Sequence, residues 1–261
     1  MLRSNALSLC ALLALLTSMA SAAQITVLYD GAAGGTPDDQ GWLWSTDMPA
    51  AVSQSAGGGF TTLDTTAEGA ASAGYGRSFV LGSLPKLDRA AGYTIVFDVR
   101  IAAETHQADD RDGDGVYDRA GFSLIAVSHD LSGIEVAFWT DEIWGYEYED
   151  VGGSFDFTHA EGITGDTTAD IRRYRLSVEG STYELYDDGD APLLSGPLRT
   201  YAPKGAPYSV PSTLYLGDDT SKAAVAVELA YVAHVDEPVP EPVCLSLLAV
   251  GGIAVARRRL R

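Results

Sequence analysis

The sequence predicts an all-β protein built as a sandwich or jelly roll of antiparallel strands. Three observations lead there. The chain of 261 residues holds 28 glycines with abundant Thr, Ser and Asp, and long helical periodicity is missing. Short apolar or alternating runs recur, with turn residues between them. No stretch alternates strand and helix patterns, so helical crossovers between parallel strands are not expected.

The runs can be followed in order. Gln24–Tyr29 opens the set and Arg77–Leu81 follows. The segment 50–76, rich in Ala, Gly, Ser and Thr, reads as long loops. Tyr93–Ala103 is long and alternates, as a half-buried strand does. Ala120–Ser128 is mostly apolar, the pattern of a central strand covered on both faces. Gly133–Thr140, Glu142–Tyr148, Arg172–Val178, Thr182–Tyr186, Thr213–Leu216 and Ala223–Val235 complete it. Glu179-Gly180-Ser181 and Asp187-Asp188-Gly189-Asp190 supply hairpin turn chemistry. No internal repeat is visible.

Charge divides the chain. Lys and Arg number 17 against 36 Asp and Glu, a formal net charge of −19. Residues 1–22 carry Arg3 and no acid, and residues 243–261 carry Arg257, Arg258, Arg259 and Arg261 and no acid. The middle therefore has 12 basic residues against 36 acidic ones, or −24. Such acidity excludes nucleic acid as an expected partner, because phosphate binding needs clustered Lys and Arg.

Both ends read as sorting signals. Residues 1–22 join Arg3 to an apolar run, Ala6 to Leu16, and close on Ala20-Ser21-Ala22, the pattern of a secretory signal peptide. At the other end, 237–242 is a Pro-rich linker and 243–261 an apolar and basic tail. The apolar run Val243–Ala256 spans about 21 Å as a helix, short of the ~20 residues a stable membrane span needs. The arginines would stay cytoplasmic. Val239-Pro240-Glu241-Pro242 followed by this tail resembles the PEP-CTERM sorting signal of Gram-negative bacteria. The resemblance implies export through the inner membrane, exosortase as a partner, and delivery to the cell surface or extracellular matrix. It implies contact with the membrane only through the tail before processing. A plain C-terminal anchor is the alternative. The two cysteines, Cys10 and Cys244, lie in these segments, so the body 23–236 holds no disulfide.

The second half carries a further resemblance. The segments RRYRLSVEGSTYELYDDG and TLYLGDDTSKAAVAVELAYV are similar to the closing strands of concanavalin A-like lectin and glucanase domains. RAGFSLIAVSHDLSGIEVAFWTDEIW resembles the central segment of choice-of-anchor domains of the Y type. These likenesses imply a concanavalin A-like jelly-roll sandwich over 23–236, without fixing an activity.

Among chemical constellations, Asp109-Asp110-Arg111-Asp112-Gly113-Asp114-Gly115-Val116-Tyr117-Asp118 is the sharpest. Asp110, Asp112, Asp114 and Asp118 take positions 1, 3, 5 and 9 of a calcium loop, Gly115 the sharp turn, and the Val116 carbonyl position 7. Position 12 is Gly121, so the usual bidentate carboxylate is missing. Calcium is the expected cofactor; a solvated Asp/Gly loop is the alternative.

Glu147 and Glu149 alternate onto one strand face near Glu142, beside Trp139 and Trp144. Paired carboxylates with aromatics are glycosidase equipment. The Glu-x-Asp-x-x-Glu motif of laminarinase-type relatives is absent, however, and no catalytic residue is assigned. Trp139 and Trp144 are candidates for glycan contact or for packing, and Trp42 and Trp44 share that ambiguity. His106, His129, His159 and His234 lack ligand spacing and are expected at the surface. The expectation is a secreted, non-catalytic surface or matrix sandwich associated with extracellular polysaccharide. A glycan hydrolase and a purely structural surface protein are the alternatives.

Overall fold

The computed structural model describes residues 23–236. Among these residues fifteen strands form two sheets. They are β1 (Gln24–Asp30), β2 (Leu43–Thr46), β3 (Ser53–Gly57), β4 (Phe60–Asp64), β5 (Ala73–Ser78), β6 (Tyr93–His106), β7 (Phe122–Val127) and β8 (Gly133–Phe138). The rest are β9 (Glu142–Val151), β10 (Ser154–Thr164), β11 (Arg172–Glu179), β12 (Thr182–Tyr186), β13 (Leu194–Pro197), β14 (Thr213–Asp218) and β15 (Ala223–Asp236). One sheet runs β13-β12-β11-β6-β15-β4-β3, with β1 also pairing β15. The other runs β10-β9-β8-β7-β14-β5-β2. Neighbours along both paths are antiparallel. The all-β sandwich expected from the sequence is the fold observed.

Alternation builds the core between the sheets. Ile95, Phe97, Val99 and Ile101 of β6 meet Phe122, Leu124 and Ala126 of β7, with Ile134, Val136 and Phe138 of β8. Phe138 stands edge-on to Phe97, Phe122 and Tyr174, at centroid distances of 5.9, 5.7 and 5.2 Å. At one margin the sheets are clamped. Tyr183 of β12 donates to Glu161 of β10 at 2.5 Å, and Arg199 grips the same carboxylate with two N–H groups at 2.9 and 2.6 Å.

The second sheet is covered on its far face too. Ile125, Val127, Ala137, Trp144, Tyr146 and Phe157 form a separate apolar cluster there. The segment 198–212 crosses this face and inserts Tyr201 and Tyr208. Every residue of β7 and β8 is buried as a result, which is why β7 reads as continuously apolar.

Two corrections concern the strands. The stretch 50–76 is not long loop: it holds β3, β4 and the start of β5. Its small residues have a packing reason at Gly74, where a Cβ would overlap the Tyr215 hydroxyl. Beyond Ser78 the run to Leu81 is a turn, with the Gly82 N–H bonded to the Phe79 carbonyl at 2.9 Å. Among the described residues no helix is long and apolar enough to cross a membrane. The expected signal peptide, the sorting motif Val239–Pro242 and the apolar tail lie outside the described residues.

Candidate functional site

The acidic loop follows β6, whose last residue is His106. Its base is closed by the Asp118 N–H donating to the Asp109 carbonyl at 2.8 Å. Short polar side chains then bind their own backbone, as Asp does in turns. Asp110 accepts from the Gly113 and Gly115 N–H groups at 2.7 and 3.0 Å, and Asp112 from Asp114 at 3.1 Å. Gly113 and Gly115 have φ of +79° and +92°, the left-handed region glycine enters without cost.

Asp118 is fully buried and anchors the loop to the second sheet. One of its oxygens accepts the Arg111 N–H at 2.5 Å and the other the His159 N–H of β10 at 2.9 Å. Burial raises its pKa; the two N–H bonds oppose that rise, and the Asp112 and Asp114 charges add to it.

Carboxylate oxygens of Asp110, Asp112 and Asp118 lie within 4.8 Å of one another. Two oxygens at 2.3–2.6 Å on opposite sides of a Ca²⁺ are separated by about 5 Å, so the spacing suits that ion. Asp114 stands apart from this trio and caps the Val116 N–H at 2.7 Å. The Val116 side chain packs on the second apolar cluster. Glycine at position 12 has a steric cause: a Cβ on Gly121 would come within 2.6 Å of the Ala224 backbone in β15.

From this loop an aromatic stripe runs along the far face of the second sheet. Phe155 and Phe157 of β10 flank Tyr148 of β9, at 5.5 and 5.4 Å between centroids. Tyr201 and Tyr208 extend the row at 5.6 and 5.5 Å steps. Phe155 is 59% exposed at the outer end. Lys204 lies 5.1 Å from the Phe157 ring and 5.7 Å from that of Tyr148. Asp156 joins loop to stripe, pairing with Arg111 through one oxygen and with Lys204, at 3.1 Å, through the other.

Beneath the crossing segment lies a closed polar cluster that sequence reasoning missed. Arg119 stacks on Tyr146 and Phe157 at 4.6 and 4.5 Å, and pairs with Asp219 at 2.8 Å. Glu135 is wholly buried and takes the Ser123 hydroxyl at 2.9 Å. The Tyr208 hydroxyl lies 2.5 Å from Glu135 and 2.7 Å from Asp219. One phenolic proton cannot serve both carboxylates. Burial and the Asp219 charge push Glu135 up to about 8, so Glu135 carries the missing proton at neutral pH. These residues are far apart in sequence, and only the alternation of Ser123 and Glu135 within apolar strands hinted at them.

The tryptophans take the packing role. Trp139 and Trp144 are 8% and 0% exposed, their centroids 4.4 Å apart. The His106 ring stacks on Trp139 and the His159 ring on Trp144, each at 4.8 Å. Neither indole is an open platform, so of the two readings, glycan contact and packing, the structure shows packing. Trp42 is also buried, donating to the Leu28 carbonyl at 2.9 Å. His234 departs from the surface expectation and is fully buried. The carboxylates of the hydrolase alternative are engaged: Glu147 by Arg199 at 2.7 Å, Glu149 by the Thr158 hydroxyl at 2.9 Å, and Glu142 beside His159 at 3.2 Å.

No protein-family model matches the chain, and no curated protein matches it. Among solved structures the chain is similar to the CBM2 module of Lactobacillus casei BL23 phage J-1 evolved Dit. That match has 10% identity and a TM-score of 0.45, covering 84% of this chain and 99% of that one. It is similar to alginate lyase A1-II', a member of polysaccharide lyase family 7, at 10% identity and a TM-score of 0.41, covering 80% and 93%. A mutant carbohydrate binding module of family 29 follows at 12% identity and a TM-score of 0.34, covering 85% and 97%.

Proposed function

We propose that the protein is an exported, non-catalytic, glycan-associated sandwich, stiffened by one Ca²⁺ at Asp110, Asp112 and Asp118. The aromatic stripe ending in Phe155 carries the reading. An exposed ring backed by Tyr148 and Phe157 offers a flat apolar face to the C–H side of a sugar, while Lys204 and Asp156 beside it offer a hydrogen-bond donor and acceptor. Calcium would neutralise carboxylates that otherwise repel one another, and would lock the loop against β10 through Asp118. The polysaccharide partner and the surface or matrix location follow from this reading. Exosortase sorting at Val239–Pro242 rests on the sequence resemblance of the C-terminal tail.

The test is a glycan array probed with the purified full chain, with and without Ca²⁺, beside Phe155→Ala. Binding without turnover, lost in Phe155→Ala at unchanged Tm, supports the proposal. Equal binding by the variant, or none under either condition, sinks it. Calorimetry should find one Ca²⁺ site with Kd of roughly 10⁻⁵ to 10⁻³ M; no heat, with no change in Tm on chelation, ends the calcium part.

A further inference from the structure

The turn that follows β5 carries a run of exposed apolar side chains. Phe79, Val80 and Leu81 are 48%, 68% and 66% exposed, three of the nine large apolar side chains that stand open among the described residues. Single exposed apolar residues need no account, but three in succession on one turn form a patch.

The backbone of this turn is satisfied from within. The N–H groups of Phe79, Leu81, Gly82 and Ser83 bond the Ser212 carbonyl, the Ser78 hydroxyl, the Phe79 carbonyl and the Ser78 carbonyl, at 2.9, 3.3, 2.9 and 3.2 Å. Gly82 closes the turn at φ +68°. Peptide groups that need no water can enter an apolar medium, where an unpaired N–H or C=O is costly.

The charge here departs from that of the body. Residues 77–92 hold Arg77, Lys86 and Arg89 against Asp88 alone, whereas 23–242 carry 12 basic and 36 acidic residues. Lys86 pairs with Asp88 and Arg89 with Asp130, each at 2.7 Å. Arg77 donates instead to the Ser83 and Gln40 carbonyls. The turn thus lacks the excess of carboxylates that anionic headgroups would repel.

Its place in the fold points the same way. The Ser212 N–H bonds the Ser128 carbonyl at 3.3 Å, and the Ser128 hydroxyl meets that of Tyr93 at 3.0 Å. Tyr93 is the register partner of Asp236, where β15 ends. The turn therefore stands at the end of the sandwich from which the chain runs on, six residues before the apolar run 243–256. That run of 14 residues is short for a stable span, and a weak anchor holds firmly only with a second contact.

We propose that the turn 79–82 inserts Phe79, Val80 and Leu81 into the surface of a phospholipid bilayer, a second membrane contact beside the one expected of the C-terminal tail. The proposal rests on the reading of that tail and is independent of the glycan reading.

The test adds the full chain to phosphatidylcholine vesicles whose acyl chains carry bromine, a quencher of indole fluorescence. Leu81→Trp should be quenched beyond wild type, with emission shifted to the blue. Asp188→Trp should match wild type. Asp188 is exposed in the turn after β12, and the pairings Val178 with Tyr93 and Arg175 with Tyr186 place that turn toward the other end of the sandwich. Charging the tip with Val80→Asp and Leu81→Asp together should weaken vesicle binding about tenfold or more at unchanged Tm and glycan binding. Vesicle-bound chain with Leu81→Trp unquenched overturns the proposal and leaves the tail reading standing. Wild type that binds no vesicles overturns both. A dimer in vesicle-free solution that the two charges dissociate gives the turn to a second copy of the chain, and also overturns it.

Discussion

Arg119→Ala tests the closed polar cluster most directly. The substitution removes the 2.8 Å pair with Asp219, the 3.7 Å approach to Glu135 and the stacking on Tyr146 and Phe157. Asp219, whose side chain is 11% exposed, is left without its counter-charge. Breaking a buried ion pair from one side costs about 3–5 kcal/mol, and the stacking losses fall within that figure. For a sandwich of this length that is roughly 6–20 °C in Tm, read by calorimetry or circular dichroism.

The dependence on pH carries the sharper sign. Burial holds the folded Glu135 carboxyl near 8, above its unfolded value near 4.3. The folded state therefore keeps a proton that the unfolded chain releases. This stability is full below about pH 4 and is lost as pH rises to about 8. Arg119 pulls Glu135 down more than the Tyr208 and Ser123 hydroxyls do. Without it the folded carboxyl rises further, and the variant should go on losing stability above about pH 8, where wild type levels off. Adding Glu135→Gln should restore a shallower slope. A loss below about 1 kcal/mol, or one independent of pH, would refute the picture of a desolvated, protonated Glu135 beside a buried Arg119–Asp219 pair.

Other outcomes follow from the same structure. Glu104 and Asp218 are also pushed up to about 8 by burial, so wild-type stability itself should decline from pH 5 to 8.5 in denaturant titrations. Burial lowers His234, whose contribution is lost instead as pH falls below about 6.5; this one group only partly offsets the decline set by the three carboxyls. Phe138→Ala should cost about 3–5 kcal/mol, because it empties the space between Phe97, Phe122 and Tyr174; a loss under 1 kcal/mol would contradict the packing. Gly217→Ala, at φ +148° with a Cβ overlapping the Ala73 carbonyl, should cost more than about 2 kcal/mol by chemical denaturation. Asp118→Ala strands the Arg111 and His159 N–H groups and should cost about 2–4 kcal/mol even in chelator, which a purely solvated loop would not.

Strands with strong local signals were legible from the residues alone. β12 matches its reading at both ends, and β7 was recognised as covered on both faces because every position is apolar or small. β3 and β10 escaped for opposite reasons. SQSAG in β3 has no apolar residue large enough to set a period, and it is a strand because β4 supplies its hydrogen bonds. β10 is broken by a register shift between His159 and Gly162, which disrupts its alternation. The acidic loop was visible because its ligand candidates are contiguous. The Arg119–Glu135–Asp219–Tyr208 cluster was not, since it assembles over a hundred positions of chain. The tryptophans stayed ambiguous because an indole reads the same in sequence whether it faces solvent or, as here, lies under a histidine ring.

The division of labour between the sheets has a consequence for display. β1 and β15, which open and close the described chain, pair with each other in one sheet. The stripe and the β10 anchor of the acidic loop belong to the other. Whichever end tethers the domain, the pull enters through the sheet that carries none of these features. If the stripe meets sugar as proposed, it does so from the sheet that bears no such load.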